Sequence, residues 1–320
     1  MKHKNIIILG GDGFIAKSLL KNLLLKKNKM NIFLIDRNIK KNLIKKFNDK
    51  NIFYVKSNLE KESSFVKIKK LLDKKKIYEI HELWNLCANS DIKISNLKND
   101  LNNTFLSCFY SSKLLDDFKV LKYFFSSSSA IYGHSNYKLH ENIKNFNPIS
   151  MYGYMKLNCE NYLKYLSNEH KTTFLIFRFP NVVGPNLSHG VIFDFLNKIK
   201  KNKHSLLVLG NGNQKKPYLY VDELIEIIYL IAIKRKKLMN FDIFNISPDD
   251  NGIKVKDIAI LFKNILFPKI NIKYSSKNNF GWKGDVPNYK FDIKKIKSMH
   301  IYPKFNSRES IIKTLKHYIP

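Results

Sequence analysis

The sequence has little arginine and little acid for so basic a protein. Its 320 residues include 57 Lys and Arg against 26 Asp and Glu, a formal net charge of +31. Only Arg37, Arg178, Arg235 and Arg308 are arginines, whereas recognition of phosphates and bases usually enriches the bidentate guanidinium. The lysines lie in scattered runs, which favours a basic surface over a nucleic-acid groove, so no nucleic-acid partner is expected. An RNA-binding protein stays open as an alternative because of the charge.

Cysteine is scarce and long apolar runs are missing. Cys87, Cys108 and Cys159 are widely spaced, with no CxxC pair and no nearby histidine, so we expect no metal site and reduced thiols in a cytoplasmic protein. The apolar run that starts at Ile6 stops at Gly10, too early for a signal peptide. The most apolar later stretch, 224–233, is well short of the roughly 18 residues of a membrane span. The sequence therefore predicts no membrane partner.

Short β-branched or aromatic runs alternate with longer stretches of helical periodicity over about the first 180 residues. The predicted strands are 6–9, 32–35, 52–55, 82–86, 123–126 and 174–179, and the predicted helices are 15–26, 65–72, 101–118 and 152–167. This alternation is typical of an α/β fold with a doubly wound parallel sheet of the Rossmann type.

Turn signals become frequent after Pro180, among them Gly184-Pro185 and Gly210-Asn211-Gly212. We therefore expect two domains: residues 1–180, which bind a dinucleotide, and residues 181–320, a smaller substrate-binding lobe. Parts of about 218–248 are expected to pack back on the first domain.

A glycine-rich turn joins the first strand to the first helix. Gly10 and Gly13, followed by Phe14 and Ile15, would let backbone N–H groups approach a pyrophosphate at the helix N-terminus. Asp36 ends the second strand 26 residues after Gly10, close to the spacing at which a carboxylate accepts from a ribose 2′-OH.

The acidic Asp36 would repel a 2′-phosphate, which favours NAD over NADP, although Arg37 beside it argues the other way. Asn58 and Leu59 end the third strand, where they could read an adenine edge. A simple turn asparagine is an equally good interpretation of Asn58.

Tyr152 and Lys156 are four residues apart on a predicted helix, so their side chains share one face. A nearby ammonium stabilises a phenolate and lowers the tyrosine pKa from about 10, which makes the phenol a usable general base. Such pairs also occur on ordinary amphipathic helices. Behind a dinucleotide fold, and with Ser128 at another strand end, catalysis is the stronger hypothesis; Ser128 would hydrogen-bond the reacting oxygen.

The chain resembles the extended short-chain dehydrogenase/reductases of the nucleotide-sugar epimerase/dehydratase family, in particular UDP-glucose 4-epimerase-like members. Its glycine turn matches at Gly10, Gly13 and Ala16, and its catalytic YxxxK motif matches 152–156. The other matching elements, in the family's order, are Asn85-Leu86-Cys87-Ala88, 126–133, 178–185, Tyr220-Val221-Asp222 and 281–287.

The resemblance implies an NAD-dependent enzyme that oxidises a sugar hydroxyl of a nucleoside-diphosphate sugar, at C4, with Ser128, Tyr152 and Lys156 as the catalytic residues. It also implies that NAD contacts Leu86, Cys87, Ala88, Pro180, Tyr152 and Lys156, and that the substrate contacts Ser129, Asn181, His189, Lys216 and Lys283. Family members usually dimerise through a four-helix bundle, here 101–118 and 152–167, so a homodimer is expected. Such enzymes commonly supply precursors of cell-envelope or capsule polysaccharides.

Departures from the family pattern narrow the reaction. Dehydratases carry Asp-Glu after the catalytic Ser/Thr, whereas this chain has Ser129 and Ala130. Two phosphate-binding arginines of the family are also missing: Lys216 replaces one, and Trp282 stands near the place of the other. Lysine lacks the guanidinium fork, so Lys215, Lys216 and Lys283 are candidate substitutes, or simply exposed lysines.

These departures favour a 4-epimerase. A C4 dehydrogenase that needs a second substrate to regenerate NAD uses the same three residues and stays open. A non-catalytic dinucleotide-binding regulator would be expected to have lost one of those three residues, and none is lost.

Overall fold

A computed structural model describes residues 3–26, 29–47, 49–89, 95–135, 137–235, 239–281 and 285–319. The strands are β1 (Lys4–Leu9), β2 (Met30–Asp36), β3 (Ile52–Lys56), β4 (Glu79–Asn85), β5 (Lys119–Ser126), β6 (Thr173–Arg178), β7 (Asn181–Val183), β8 (Ser205–Val208), β9 (Lys215–Lys216), β10 (Tyr218–Tyr220), β11 (Phe241–Asn245), β12 (Ile253–Lys254) and β13 (Asn271–Tyr274).

The α-helices are α1 (Phe14–Leu25), α2 (Lys41–Lys46), α3 (Glu62–Lys74), α4 (Leu97–Asp100), α5 (Ser107–Ser111), α6 (Lys113–Asp117), α7 (Met151–Glu169), α8 (Val191–Lys201), α9 (Val221–Lys234), α10 (Val255–Leu266), α11 (Lys294–Lys297) and α12 (Ser307–Lys316). Among the described residues, no helix is long and apolar enough to cross a membrane.

A seven-stranded sheet runs in the order β11-β6-β5-β4-β1-β2-β3, and β1 to β6 pair in parallel. This confirms the predicted doubly wound α/β fold, with strand order 3-2-1-4-5-6 at its centre. The strands were predictable because a parallel sheet covered on both faces needs nearly continuous apolar runs. Residues 6–9 of β1 are all buried.

Stacked aromatic rings connect four neighbouring strands on one face of this sheet. Trp84 stacks on Phe124 with ring centroids 4.1 Å apart, Phe124 lies 6.2 Å from Phe177, and Phe177 lies 6.1 Å from Phe244. Because these rings come from β4, β5, β6 and β11, the contacts fix the register across that half of the sheet.

The helix predicted over 101–118 is interrupted. It consists of α4, a π-helical segment Leu101–Leu106, α5 and, after Ser112, α6. Hydroxyl groups in this segment donate to backbone carbonyls three or four residues earlier, from Ser107 to Asn103 and Thr104, and from Ser111 to Cys108. Such bonds compete with the regular helical ladder and bend helices, which apolar periodicity does not reveal.

The chain forms two compact units. The first comprises residues 1–127, 154–177 and 236–244, and the second comprises residues 128–153, 178–235 and 245–320. The second unit has three two-stranded sheets, which pair β10 with β7, β12 with β9 and β13 with β8, and it contains α8 to α12. The predicted boundary at residue 180 stays a prediction.

Gly133 provides a test of the second unit's packing. It has φ +66°, and a Cβ there would lie 1.8 Å from the Asn147 carbonyl oxygen. Gly133→Ala should therefore lower the free energy of unfolding by more than about 3 kcal/mol, from overpacking and backbone strain together. Gly190→Ala is the matched control, because Gly190 has φ +88° but a Cβ there meets nothing within 4 Å; we expect a cost of about 1 kcal/mol from strain alone. Urea titration measures both, and equal costs would contradict the clash.

Candidate functional site

The predicted glycine turn is a cradle with no room for side chains. Gly10 has φ +80°, and a Cβ there would lie 3.2 Å from the Leu86 carbonyl; a Cβ on Gly11 would lie 3.0 Å from the Leu34 Cα. The turn therefore sits directly against β2 and the end of β4. α1 follows with no acidic residue in its first turn and no side-chain cap at Gly13, so its N-terminus can receive a phosphate.

Asp36 lies beside this turn because Ile35, the residue before it, pairs with Leu9, the last residue of β1. Its carboxylate is fixed by two backbone donors, Asp12 N at 3.1 Å and Asn38 N at 3.0 Å. Each carboxylate oxygen keeps accepting capacity for a ribose hydroxyl.

Arg37 donates to Glu60 at 3.0 Å and to Asn103 at 2.8 Å. Its charge is thus balanced by Glu60, which removes the argument that it would favour a 2′-phosphate.

The remaining predicted cofactor residues of the first unit lie at strand ends. Leu86, Cys87 and Ala88 follow β4, and Leu86 N donates to Leu9 O at 3.1 Å, next to the glycine turn. The Asn58 side chain accepts from Glu60 N at 3.2 Å, as expected of a simple turn asparagine. Leu59 is buried in the core. An adenine contact at Asn58 and Leu59 stays a prediction.

Lys156 is buried on α7, one helical turn after Tyr152. Its ammonium donates to the carbonyls of Ser126 and, at 3.4 Å, Cys87, and lies 4.6 Å from the centroid of the Phe125 ring. Burial lowers the pKa of Lys156. The structure thus holds an ammonium at the ends of β4 and β5.

A buried carboxylate supports that charge. Glu160 lies one turn further along α7, is only 3% exposed, and accepts a hydrogen bond from Ser127 Oγ. Burial raises the pKa of the Cys87 and Cys159 thiols, so both are neutral near pH 7. Glu160 is one of the neighbouring groups that oppose the lowering of the Lys156 pKa by burial.

Ser128 and Tyr152 belong to the second unit. Ser128 caps the short turn 129–131, and its Oγ accepts from Ala130 N at 3.2 Å. Gly153 allows the first turn of α7 to pack on this cap, since a Cβ there would lie 2.5 Å from the Ala130 carbonyl oxygen. The turn that carries Tyr152 and the turn that Ser128 caps are therefore in contact.

Sequence reasoning missed Tyr289, which connects two predicted substrate residues. Its hydroxyl accepts from Asn181 Nδ2 at 3.2 Å and hydrogen-bonds the Ser129 side chain. Burial raises the pKa of Tyr289 to about 12, so it remains a neutral phenol. No periodicity or spacing in the sequence connects residues 129, 181 and 289; only the fold does.

Lys216 is buried and forms an ion pair with Asp285. The second Asp285 oxygen accepts from Gly281 N at 3.0 Å. Burial lowers the pKa of Lys216, while Asp285 opposes that effect. Lys216 is therefore a buried, ion-paired residue, and the alternative of a simply exposed lysine does not apply to it.

The last three predicted site residues are His189, Pro180 and Lys283. His189 is half-buried, and its Nδ1 lies 3.1 Å from Ser188 Oγ. Pro180 is buried after β6. Lys283 lies outside the described residues. Within the described ranges, no group of three or more His, Cys, Asp or Glu side chains could hold a metal ion.

Comparison with known proteins gives one family and several full-length relatives. Residues 6–247 match the model of the NAD dependent epimerase/dehydratase family. The chain is 26% identical over 311 residues to a putative UDP-glucose 4-epimerase of Methanocaldococcus jannaschii, covering 96% of this chain and 95% of that protein.

Two solved structures share the fold over almost their whole length. One is a UDP-N-acetylglucosamine 4-epimerase of Methanobrevibacter ruminantium in complex with UDP-N-acetylmuramic acid, with 25% identity, 99% coverage of each chain and a TM-score of 0.80. The other is a UDP-glucose 4-epimerase of Thermotoga maritima with UDP-glucose, with 23% identity, 98% coverage of each chain and a TM-score of 0.81.

The Lys216 pair predicts a specific loss of stability. Lys216→Met leaves the Asp285 charge buried without its partner, which should cost about 3 kcal/mol. Lys215→Met is the control: the neighbouring lysine is half-exposed and has no ion pair in the described part of the chain, so its effect should stay within about 0.5 kcal/mol. Denaturant unfolding of both variants decides, and a stable Lys216→Met protein would show that Asp285 does not depend on the pair.

Proposed function

The chain belongs to the NAD dependent epimerase/dehydratase family, and from that premise we propose that it is a nucleotide-sugar 4-epimerase. The observation that carries the proposal is the Lys156 ammonium, buried one turn after Tyr152 on a single helix. Two relatives at 25–26% identity over nearly the full length, both described as UDP-sugar 4-epimerases, support the choice of reaction.

The proposed residues divide the chemistry between them. Tyr152 removes the proton from the C4 hydroxyl, Ser128 hydrogen-bonds that oxygen, and Lys156 favours the phenolate and binds the nicotinamide ribose. Bound NAD would supply a reversible acceptor for the C4 hydride, which epimerisation requires. Ser129 and Ala130 provide no acid and base for removing water, which separates the proposal from a dehydratase.

NAD fits the cradle that the first unit provides. The backbone at Gly10, Gly13, Phe14 and Ile15 would hold the pyrophosphate, and Asp36 the adenosine ribose. The further proposed cofactor contacts are Arg37, Asn58, Leu59, Leu86, Cys87, Ala88 and Pro180.

The nucleotide sugar is proposed to contact Ser129, Asn181 and Tyr289 at its sugar, with His189 near the entry loop. For the diphosphate we propose Lys216 and Lys283. Lys215 precedes Lys216 on β9 and points to the opposite face, because successive strand residues alternate. Because Asp285 already pairs with Lys216, this lysine would offer hydrogen bonds more than net positive charge.

The chain is proposed to form a homodimer through residues 101–118 and 152–167, as the resemblance implies. Phe105 and Phe109 stack on each other there and Tyr162 is tilted against both, while Phe109 and Tyr165 are exposed. Cytoplasmic location and a place in polysaccharide precursor synthesis stay predictions.

The first experiment incubates the purified protein, without added cofactor, with UDP-glucose, UDP-galactose and UDP-N-acetylglucosamine. Sugar NMR should show the C4 epimer, with no lasting absorbance of reduced nicotinamide. A keto sugar with a lasting band would indicate the C4 dehydrogenase, and no product with any nucleotide sugar would favour a non-catalytic binder.

Tyr152→Phe should lower turnover by about 10³-fold or more while NAD binding is retained. Tyr154→Phe is the control, since Tyr154 is 51% exposed on the same helix.

Glu160 predicts a pH effect. Glu160→Gln keeps an acceptor for Ser127 but removes the charge that supports Lys156, so the Lys156 pKa falls further and its proton is lost at lower pH. The alkaline limb of kcat should move to lower pH. Glu169→Gln, at an exposed position on the same helix, should leave the limb in place. An unmoved limb in Glu160→Gln would show that Glu160 acts only through Ser127.

A further inference from the structure

A cavity with a basic lining lies in the second unit, where β9 and β12 pair. Its volume is about 470 Å³, and four cationic side chains line it: Lys215, Lys254, Lys256 and Arg308. We call it the basic pocket. Its volume falls in the range of small-molecule sites.

The β9–β12 pairing brings two of these cations together. The register is antiparallel, with Lys215 opposite Lys254 and Lys216 opposite Ile253. Side chains of directly opposite residues share a face, so the Lys215 and Lys254 ammonium groups repel each other. The next pair, Lys216 and Ile253, is buried. Ile253 forms part of the pocket wall, whereas the Lys216 ammonium pairs with Asp285.

The carboxylates of the pocket lining balance only part of this positive charge. Within the described ranges, none of the four cations has an ion-pair partner, whereas other lysines such as Lys17 and Lys198 pair with carboxylates at 2.8 and 2.6 Å. Two carboxylates, Asp250 and Asp257, also line the basic pocket. Four cations against two anions leave a formal excess of positive charge.

Asp250 is held in place by hydrogen bonds within the second unit. One of its oxygens accepts from Gly252 N and Ser307 Oγ, both at 2.8 Å, and the other accepts from Ser307 N at 2.6 Å. These neutral donors fix the position of Asp250 but leave its charge, so the lining keeps two carboxylates against four cations.

The walls of the basic pocket are held in place before any ligand arrives. Gly252 has φ +76°, and a Cβ there would lie 2.4 Å from the Lys216 carbonyl. The backbone just before β12 is therefore in close contact with β9. The start of α10 is fixed by bonds from Val255 N to Gln214 O at 3.0 Å and from Lys256 N to Gly212 O at 2.8 Å. A ligand would therefore bind without ordering the backbone, which lowers the cost of association.

We propose that the basic pocket binds a small polyanion with two or more phosphate groups, apart from the cofactor and substrate sites. Arg308 offers a guanidinium fork suited to phosphate oxygens, and the lysines offer point charges on either side. Binding relieves the repulsion between Lys215 and Lys254. Because β9 also carries Lys216 on its other face, occupancy stabilises the strand that the proposed substrate site uses.

The test measures binding of inorganic tripolyphosphate by calorimetry to the full chain, with NAD and UDP at saturation so that their sites are filled. Wild type should bind one equivalent. Lys254→Gln/Lys256→Gln should weaken binding about ten-fold or more, since charged hydrogen bonds are lost. Without ligand this variant should melt no lower than wild type, because a like-charge contact has been removed.

The control variant, Lys263→Gln/Lys269→Gln, removes the same charge from the last turn of α10 and from the loop after it. Equal weakening in both variants would show attraction by the overall charge and overturn the proposal, as would an absence of tripolyphosphate binding once NAD and UDP are bound. ATP that binds no tighter than tripolyphosphate would show that phosphates alone are recognised. Single-stranded RNA could also bind more tightly than both tripolyphosphate and ATP, and lose that binding only in Lys254→Gln/Lys256→Gln. That result would overturn the proposal in favour of a nucleic-acid-binding surface. None of these readouts depends on turnover, so the result stands whether or not the protein is an epimerase.

Discussion

The structure depends on the burial of one ammonium group. A buried charge costs several kcal/mol unless it is hydrogen-bonded and balanced, and Lys156 meets both conditions through the carbonyls of Ser126 and Cys87 and through the carboxylate of Glu160. Those carbonyls lie where β5 ends and just after β4 ends, and Lys156 and Glu160 lie one turn apart on α7. The requirement therefore sets both the position and the rotation of α7 on the sheet. Tyr152 precedes Lys156 by one turn of the same helix.

Close backbone contact is the second constraint, and each unit meets it with glycine. In the first unit, Gly10 and Gly11 let the turn after β1 lie against its neighbouring strands. In the second unit, Gly153 lets the start of α7 touch the turn that Ser128 caps. A side chain at any of these positions would push apart the elements that carry the reactive groups. The glycines are thus needed for the packing distance as much as for the conformation, which is why the motif residues stand at element boundaries.

The sequence was informative where one residue's environment depends on its near neighbours. The six predicted strands of the sheet were correct to within about four residues because burial on both faces demands apolar runs, and the Tyr152–Lys156 spacing needs only one helix. The break within 101–118 depends on hydroxyl-to-carbonyl bonds, whose competition with the helix has no apolar signature. The positions of Tyr289 and Asp285 depend on contacts over more than 60 residues. Such pairs exist only once the second unit is folded, so no local pattern could indicate them.

Lysine has three different physical roles in this chain, and composition alone does not separate them. Lys156 and Lys216 are buried, and each has a carboxylate nearby or bound to it. Most other lysines are exposed, where a solvated ammonium costs little and contributes little. Lys215 and Lys254 belong to neither group: a strand pair holds them opposite each other, and no ion pair joins either to an acid in the part of the chain that the structure describes. The net charge of +31 therefore says less about function than the local balance of charge does, because only an unbalanced cluster in a preformed cavity favours an anion over water.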